Sequence, residues 1–335
     1  MTLIKNAFKV LFTERRLPHR ISIPLNHLLY KQPLNNLFAK ASQLQPVETA
    51  RNATTTIHML TSANDLHMGI FALRSFLRYH SDVNLNIYGD GSLSANDASQ
   101  IRHNFPRANV ILHPEFNAKL SQNNRLNDLY HRLQTRFTLS KDFTFRAIPW
   151  SMKFIIPHLF QIGARQILLD SDTLFVAKPE EVLNWSQSSS LNAFYSRPFR
   201  PNLRVDQKAL ITLYGQTKVL PAFCAGFLGF PSVLFPIEYV LDTTSKAINS
   251  DLEIFSDECL WRYLFSGTSS IELPCSKYPM LCSMKNLKDL GLNSEIKYYH
   301  FHLKHEGGIY YKHGKKVLRE LTAQAFQGQD LFPRA

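Results

Sequence analysis

Residues 165–175, RQILLDSDTLF, join an apolar run to two acidic residues near the middle of the chain. The run from Ile167 to Leu169 carries no turn residue, which is typical of a buried β-strand. Asp170 and Asp172 follow where this strand ends, and their spacing allows both carboxylates to face the same ligand. The stretch therefore predicts a strand that delivers two acidic side chains to one edge of a sheet.

The sequence before this strand alternates between short apolar segments and amphipathic helical patterns. Strands are predicted at residues 54–60, 85–87 and 110–112, and helices at 66–80, 94–105 and 151–162. Strands that alternate with helices form a mostly parallel sheet with right-handed crossovers, flanked by helices. The predicted fold class is therefore α/β, and ligands are expected at the carboxyl ends of the strands.

The acidic pair at that edge has a direct chemical interpretation. Asp170 and Asp172 can hold a hard divalent cation and leave open positions for water and for the phosphate oxygens of a bound nucleotide. The alternative is that both are turn residues that cap the following segment. The pair is thus a candidate metal site.

Composition and charge limit the classes of protein that remain. The chain has 335 residues, 44% of them hydrophobic, which is enough for a large core, and every apolar stretch is too short to cross a membrane. The net charge of +12 favours anionic partners such as nucleotide phosphates, anionic lipid or nucleic acid. The 4 cysteines form no CxxC pair, which argues against structural zinc and favours a reducing compartment.

The chain is predicted to divide into three parts. Ile4, Phe8, Leu11 and Phe12 recur at helical spacing among basic residues, which predicts a basic amphipathic helix that lies on a membrane surface or packs on the main domain. The rest of 1–51 contains several prolines and no sustained period, which predicts an extended arm. A single domain is expected over 52–318, followed by a tail at 319–335. The lack of a signal-peptide pattern predicts a cytoplasmic protein, with peripheral contact at the inner membrane face as an option.

Three segments around the acidic pair resemble the nucleotide-sugar core of the GT-A glycosyltransferases, most closely glycosyltransferase family eight. They are residues 153–157 (KFIIP), 167–174 (ILLDSDTL) and 179–183 (PEEVL). The resemblance implies a Rossmann-like mixed sheet. It also implies that Asp170 and Asp172 bind Mn²⁺ or Mg²⁺ and the diphosphate of a UDP-sugar, and that Ser171 approaches the ribose.

The resemblance assigns further residues to the sugar nucleotide. Thr61, Ser62, Asn64 and Asp65 stand where such enzymes hold uridine, and the alternative is an N-cap cluster for the helix that follows. Lys153 matches a basic residue that contacts the sugar nucleotide, and the alternative is an exposed lysine on an amphipathic helix.

Residues 223–230, FCAGFLGF, resemble the family's strand beside the donor sugar. The match places Ala225 and Gly226 at the donor. Cys224 stands where Asn is usual, so this chain departs from the family pattern at that position.

The two acidic residues Asp257 and Glu258 resemble the family segment that contacts the sugar hydroxyls. The alternative is a helix start in which Ser256 is the N-cap and the two acids follow it. An inverting enzyme needs a carboxylate base near the acceptor, for which Asp257 and Glu258 are the candidates, whereas the resemblance to family eight implies retention.

The segment from Tyr298 to His305 resembles the part of the family core in which a histidine completes the metal shell and a lysine holds the diphosphate. If it is a strand, His300, His302 and Lys304 share one face, so either histidine is a candidate ligand. An imidazole suits Mn²⁺ better than Ca²⁺. The diphosphate lysine is Lys304 or Lys312.

The resemblance implies a metal-dependent, retaining hexosyltransferase. It would move a sugar from a UDP-sugar to a hydroxyl of a glycan or lipid-linked acceptor, in the synthesis of bacterial polysaccharide or lipopolysaccharide. The alternatives are an effector that glycosylates host proteins, a sugar nucleotidyltransferase, which the lack of a Gly-rich loop disfavours, and a basic protein that binds nucleic acid or membrane. In the last case Arg197, Arg200 and Arg204 would bind phosphates. We assign them instead to an anionic acceptor, and nucleic acid is the less favoured partner.

Overall fold

The computed structural model describes residues 19–139, 146–198, 211–212, 219–220, 222–250, 256–281, 295–301 and 303–329. None of the described helices combines the length and the hydropathy that a bilayer crossing requires. In chain order the elements are α1 His19–Ser42, β1 Thr55–Thr61, α2 Leu66–Leu77, β2 Asn84–Gly89, α3 Ala95–Asn104, β3 Asn109–Ile111, α4 His113–Leu120, α5 Asn124–Thr138, α6 Ala147–Leu159, β4 Arg165–Leu169, β5 Thr173–Phe175, α7 Glu180–Gln187, β6 Ala193–Ser196, β7 Cys224–Pro231, α8 Ile237–Ile248, α9 Asp257–Ser266, β8 Ser270–Glu272, β9 Met280–Leu281, β10 Tyr298–Phe301 and α10 Leu303–Gln329.

A seven-stranded sheet forms the centre of the molecule, in the order β3-β2-β1-β4-β7-β6-β8. The pairings β1 with β2, β2 with β3, β1 with β4 and β6 with β8 are parallel, whereas β7 runs antiparallel to both of its neighbours. The sheet is therefore mixed and mostly parallel, with helices between the strands of its first half. This confirms the predicted α/β class.

Apolar side chains are buried on both faces of the sheet. In β4, whose five residues are all buried, Ile167 and Leu169 pack into one core cluster and Leu168 packs into the cluster on the opposite face. Alternation along a strand sends successive side chains to opposite faces, so a continuous apolar run fits a sheet covered on both sides. The acidic residues that follow β4 therefore emerge at the edge of a sheet held rigid by two cores.

A second sheet and the two long helices form a third core. The small sheet has the order β5-β10-β9, and α10 packs along α1 beside it. Leu37, Phe71, Leu174 and Tyr310 are among the buried residues of this core. Segments from both ends of the described chain thus cover the small sheet, next to the acidic pair.

This arrangement corrects two of the predicted boundaries. The extended arm proposed for residues 17–51 is wrong over residues 19–42, because a helix runs from His19 to Ser42 through Pro24 and Pro33. The tail proposed for 319–335 is also wrong in part, because α10 continues to Gln329. Packing of one apolar face outweighs the unfavourable helix propensity of the prolines. The basic helix predicted at residues 4–16 lies outside the described residues.

One buried arginine ties α10 to the rest of the fold. The Nη1 of Arg78 lies 2.6 Å from the Oε2 of Glu320, and its Nη2 donates to the carbonyl of Phe175 at 3.1 Å. The side chain of Arg78 is only 2% exposed. Its charge therefore depends on Glu320 for compensation.

We expect Glu320→Gln to lower the free energy of unfolding by about 1–3 kcal/mol, because the buried guanidinium loses its ionic partner. Urea denaturation measures the loss. Lys316→Gln is the control, since the exposed Lys316 lies 3.9 Å from the same carboxylate and should change stability by less than about 0.5 kcal/mol. Equal losses in the two variants would contradict the assignment.

Candidate functional site

The acidic pair lies where β4 ends and the chain turns into β5. The backbone N–H of Asp170 donates to the carbonyl of Gly226 at 2.9 Å, and the carbonyl of Asp172 accepts from the N–H of Phe301 at 2.9 Å. These two bonds join β4 to β7 and the turn to β10. The pair is therefore fixed by both sheets at once.

β10 brings a histidine to the pair. The Nε2 of His300 lies 3.0 Å from the Oδ1 of Asp172 and 3.8 Å from the Oδ2 of Asp170. Burial lowers the pKa of His300, but the charge of Asp172 raises it by more, so that the pKa lies well above its ordinary value. One ligand atom from each of these residues falls within 4.8 Å of the others. Of the two histidines predicted as alternatives, His300 belongs to the cluster and His302 lies outside the described residues.

The ligand atoms that this cluster offers suit a divalent cation. Two carboxylates and one imidazole form a mixed oxygen and nitrogen set, which fits Mn²⁺ and leaves positions for water or phosphate. The cluster opens at the carboxyl edge of the parallel strands, where ligands bind in sheets of this type. The residues therefore fit the predicted metal.

Gly226 provides the space that the cluster needs. A Cβ at this position would overlap the ring of His300 and lie 2.8 Å from the Oδ2 of Asp170. Only glycine allows β7 to approach the histidine and the acid so closely. Ala225, also predicted at the donor, points into a core cluster instead.

Cys224 contacts the other side of the histidine. Its Sγ lies 3.2 Å from the Nδ1 of His300 and accepts from the N–H of Gly226 at 3.4 Å. In the sequence, Cys224 is distinguished only by standing where the family it resembles usually has Asn. The period of two along β7 places Cys224 and Gly226 on one face, and this was the available signal.

A buried lysine stands behind the pair. The Nζ of Lys153, on α6, lies 2.6 Å from the Oδ1 of Asp170 and 3.6 Å from the Oδ2 of Asp257. The side chain is 14% exposed, so the alternative of an exposed lysine is wrong. Burial lowers the pKa of Lys153, but the two carboxylates raise it by more, and the ammonium stays charged.

The start of α9 has the N-cap that one interpretation of residues 256–258 predicted, and it also brings Asp257 to the site. Ser256 is the N-cap and accepts from the N–H of Cys259 at 3.2 Å, as expected of a helix start. Asp257 is also the acid that contacts Lys153. Burial raises the pKa of Asp257 by more than the positive charge of Lys153 lowers it. Glu258 is half-buried, and its charge acts on the buried Arg262.

The loop after β1 lies beside the acidic pair. The Oγ of Ser62 donates to the Oδ2 of Asp65 at 2.9 Å, and Asn64 is exposed. Burial raises the pKa of Asp65, and the charges of Asp172 and Asp170 raise it further against the bond from Ser62. The loop predicted to hold the nucleoside is thus within electrostatic reach of the pair.

Other predicted residues are placed elsewhere. The strand expected to carry Lys304 is wrong, because β10 ends at Phe301 and α10 begins at Leu303. Lys312 is exposed on α10. The Nε of Arg197 lies 2.7 Å from the Oε1 of Glu272. Arg200 and Arg204 lie outside the described residues.

Comparison with solved structures identifies the fold. No family model matches the sequence, and no curated protein matches it. The galactosyltransferase LgtC, solved in complex with donor and acceptor sugar analogues, aligns over 80% of this chain and 96% of its own, at 11% identity and a TM-score of 0.51.

Two further structures align with lower scores. Mouse xyloside xylosyltransferase 1 aligns over 77% of this chain and 98% of its own, at 15% identity and a TM-score of 0.45. GlyE from Streptococcus pneumoniae TIGR4 aligns over 82% of this chain and 64% of its own, at 11% identity and a TM-score of 0.47. The likeness to LgtC confirms the GT-A fold that the sequence predicted, and at this identity it establishes the fold alone.

We expect Gly226→Ala to weaken Mn²⁺ binding by more than about tenfold, because the added methyl group displaces His300 from Asp170. Titration followed by electron paramagnetic resonance measures the affinity. Gly229→Ala is the matched control: its Cβ would overlap Phe194 in the core, so it should reduce stability without changing the affinity for Mn²⁺. Equal affinities in the native protein and Gly226→Ala would overturn this assignment.

We expect Lys153→Met to lower the free energy of unfolding by about 3–5 kcal/mol, because Asp257 stays buried without its cation. Adding Asp257→Asn should recover part of this loss, since the uncompensated charge is then gone. Urea denaturation of both variants provides the test. Lys246→Met, which removes an exposed ion pair with Asp242, should cost less than about 1 kcal/mol. Simple addition of the two losses would argue against the coupling.

Proposed function

We propose that this chain is a metal-dependent glycosyltransferase that moves a sugar from a nucleotide-diphosphate sugar, with UDP-sugar as the favoured donor, to a hydroxyl of an acceptor. The observation that carries the proposal is the Asp170, Asp172 and His300 cluster at the carboxyl edge of a GT-A sheet. LgtC, which shares this fold, was solved with donor and acceptor sugar analogues. The same edge of this chain offers the groups that a sugar nucleotide requires.

In this proposal Asp170, Asp172 and His300 hold Mn²⁺ or Mg²⁺. Bound there, the cation would neutralise charge on the diphosphate that leaves when the anomeric C–O bond breaks. The Oδ1 of Asp170 is held by Lys153 and its Oδ2 faces His300. Lys153 thereby orients the carboxylate and keeps one of its oxygens directed at the cluster.

The loop after β1 is the proposed nucleoside site. Thr61 ends β1, and the hydroxyl of Ser62 donates a hydrogen bond to Asp65. This hydrogen bond holds the loop beside the acidic pair. Asn64 is exposed and therefore accessible to a base. We assign uridine to this loop and the ribose to Ser171. A loop without glycine also disfavours the nucleotidyltransferase alternative.

We propose retention of configuration. A general base must reach the proton of the acceptor hydroxyl, but Asp257 is only 6% exposed and contacts Lys153. Its geometry suits a role in positioning Lys153 better than proton transfer from an acceptor. Glu258 is the remaining motif-linked candidate for a base and would be the residue to test if inversion were found.

The acceptor we favour is anionic, a phosphorylated or lipid-linked glycan of the kind used in bacterial polysaccharide or lipopolysaccharide synthesis. The net charge of +12 supports this choice, because a basic surface raises the local concentration of such acceptors. A cytoplasmic location at the inner membrane face would suit a lipid-linked acceptor.

The test is a thermal-shift titration with UDP, with and without Mn²⁺, on the native chain and on Asp170→Ala/Asp172→Ala. UDP at about 100 times its dissociation constant should add about 2.7 kcal/mol of stability to the native chain when Mn²⁺ is present. The double variant should lose this gain, since it lacks both carboxylates. Asp242→Ala, which removes an exposed ion pair with Lys246, is the control and should retain it.

Release of UDP from a panel of UDP-sugars then identifies the donor. No stabilisation of the native chain by UDP or by other nucleoside diphosphates would contradict the proposal. An equal gain in the native chain and the double variant would show that nucleotide binds without the acidic pair.

A further inference from the structure

We infer that Cys224 is a positioning residue that acts on the metal site through the Nδ1 of His300. The inference rests on the proposed function, since it requires a cation at Asp170, Asp172 and His300. It extends that proposal to a residue at which this chain departs from the family pattern it resembles.

The two nitrogens of His300 face different partners. The Nδ1 lies 3.2 Å from the Sγ of Cys224, and the Nε2 lies 3.0 Å from the Oδ1 of Asp172. A histidine that binds a metal through one nitrogen usually donates the N–H of the other to a fixed acceptor, which sets the tautomer and the ring orientation. The Sγ occupies the position of that acceptor, so the Nε2 is left to face the cation.

The local backbone holds the sulfur in place. Cys224 is 2% exposed, and its Sγ accepts from the N–H of Gly226 at 3.4 Å. Gly226 leaves room for the ring directly beside this contact, since any Cβ would overlap it. Two residues of β7 therefore fix the position of the His300 ring: Cys224 contacts it, and Gly226 leaves the space that it occupies.

The geometry favours positioning over direct ligation. Within the described part of the chain, the atoms that fall within 4.8 Å of one another come from Asp170, Asp172 and His300, and Cys224 is outside that group. A buried sulfur engaged by the imidazole is also poorly placed to contact a donor sugar. Cys224 should therefore affect the cation through His300.

The experiment measures binding of Mn²⁺ alone, by electron paramagnetic resonance, to the full chain and its variants. Cys224→Ala should weaken binding by about tenfold or more, the usual cost of removing a group that orients a ligand. Cys224→Ser should weaken it less, because a hydroxyl can still accept from the Nδ1. Cys275→Ala is the matched control, a half-buried cysteine whose neighbours are Arg197 and Glu272, and it should bind like the native chain.

A double-mutant cycle separates positioning from general damage to the fold. If Cys224 acts through His300, adding Cys224→Ala to His300→Ala should change the Mn²⁺ affinity by less than about twofold. The ¹⁵N shifts of His300 with Mg²⁺ bound should also report a proton on the Nδ1 in the native chain. If Cys224→Ala does not fold, Cys224→Ser carries the same comparison.

The outcomes are distinct. Equal affinity of Cys224→Ala and the native chain, or equal weakening with and without His300, would overturn the role of Cys224 and leave the proposed function intact. Failure of the native chain and of Cys275→Ala to bind Mn²⁺ would overturn the metal-dependent function itself. Weakening that depends on His300 supports the inference.

Discussion

Repulsion among carboxylates at one sheet edge is the constraint on which the site depends. Asp65 and Asp257 both lie within electrostatic reach of Asp170, and each has a pKa raised in part by that charge. Such a cluster is unfavourable unless positive charge is placed among its members. Lys153 compensates it from behind, and His300 does so from the side of the small sheet. A divalent cation bound at the cluster would replace the proton on the Nε2 of His300, because a ligating imidazole is neutral, and would then compensate the carboxylates itself. Stability and ligand binding therefore depend on the same charges.

The part of the fold that was predictable from sequence is the part determined locally. The strands β1 to β4 carry apolar residues in short runs or in alternation, and the acids that follow β4 are close in sequence, so their placement could be predicted directly. The choice between His300 and His302 did not follow, since a period of two puts both on one face of any strand that includes them. The structure places His300 in the cluster, and His302 lies outside the described residues.

The remaining errors have physical causes as well. The prolines of α1 predicted an extended chain, although Leu34, Leu37, Phe38 and Ala41 follow helical spacing and are buried. That spacing was visible in the sequence, but tertiary packing against α10 decided the outcome. The contact between Cys224 and His300 joins residues far apart in the chain, so the period of two in β7 places Cys224 on the face of Gly226 but does not identify His300 as its partner.

The long-range strand pairings around the acidic pair affect the order in which the chain folds. The pairings of β1 with β2 and of β2 with β3 join strands that are near each other in sequence, so closing the connecting segments costs little chain entropy. β4 pairs with β1 and with β7, both distant from it in sequence, and the acidic pair also requires β10, which is far from its partner β5 in the chain. We expect the cluster to be the last region to order during folding, because these long-range contacts carry the largest loss of chain entropy. A chain released before β10 docks would have a nearly complete sheet and no competent site.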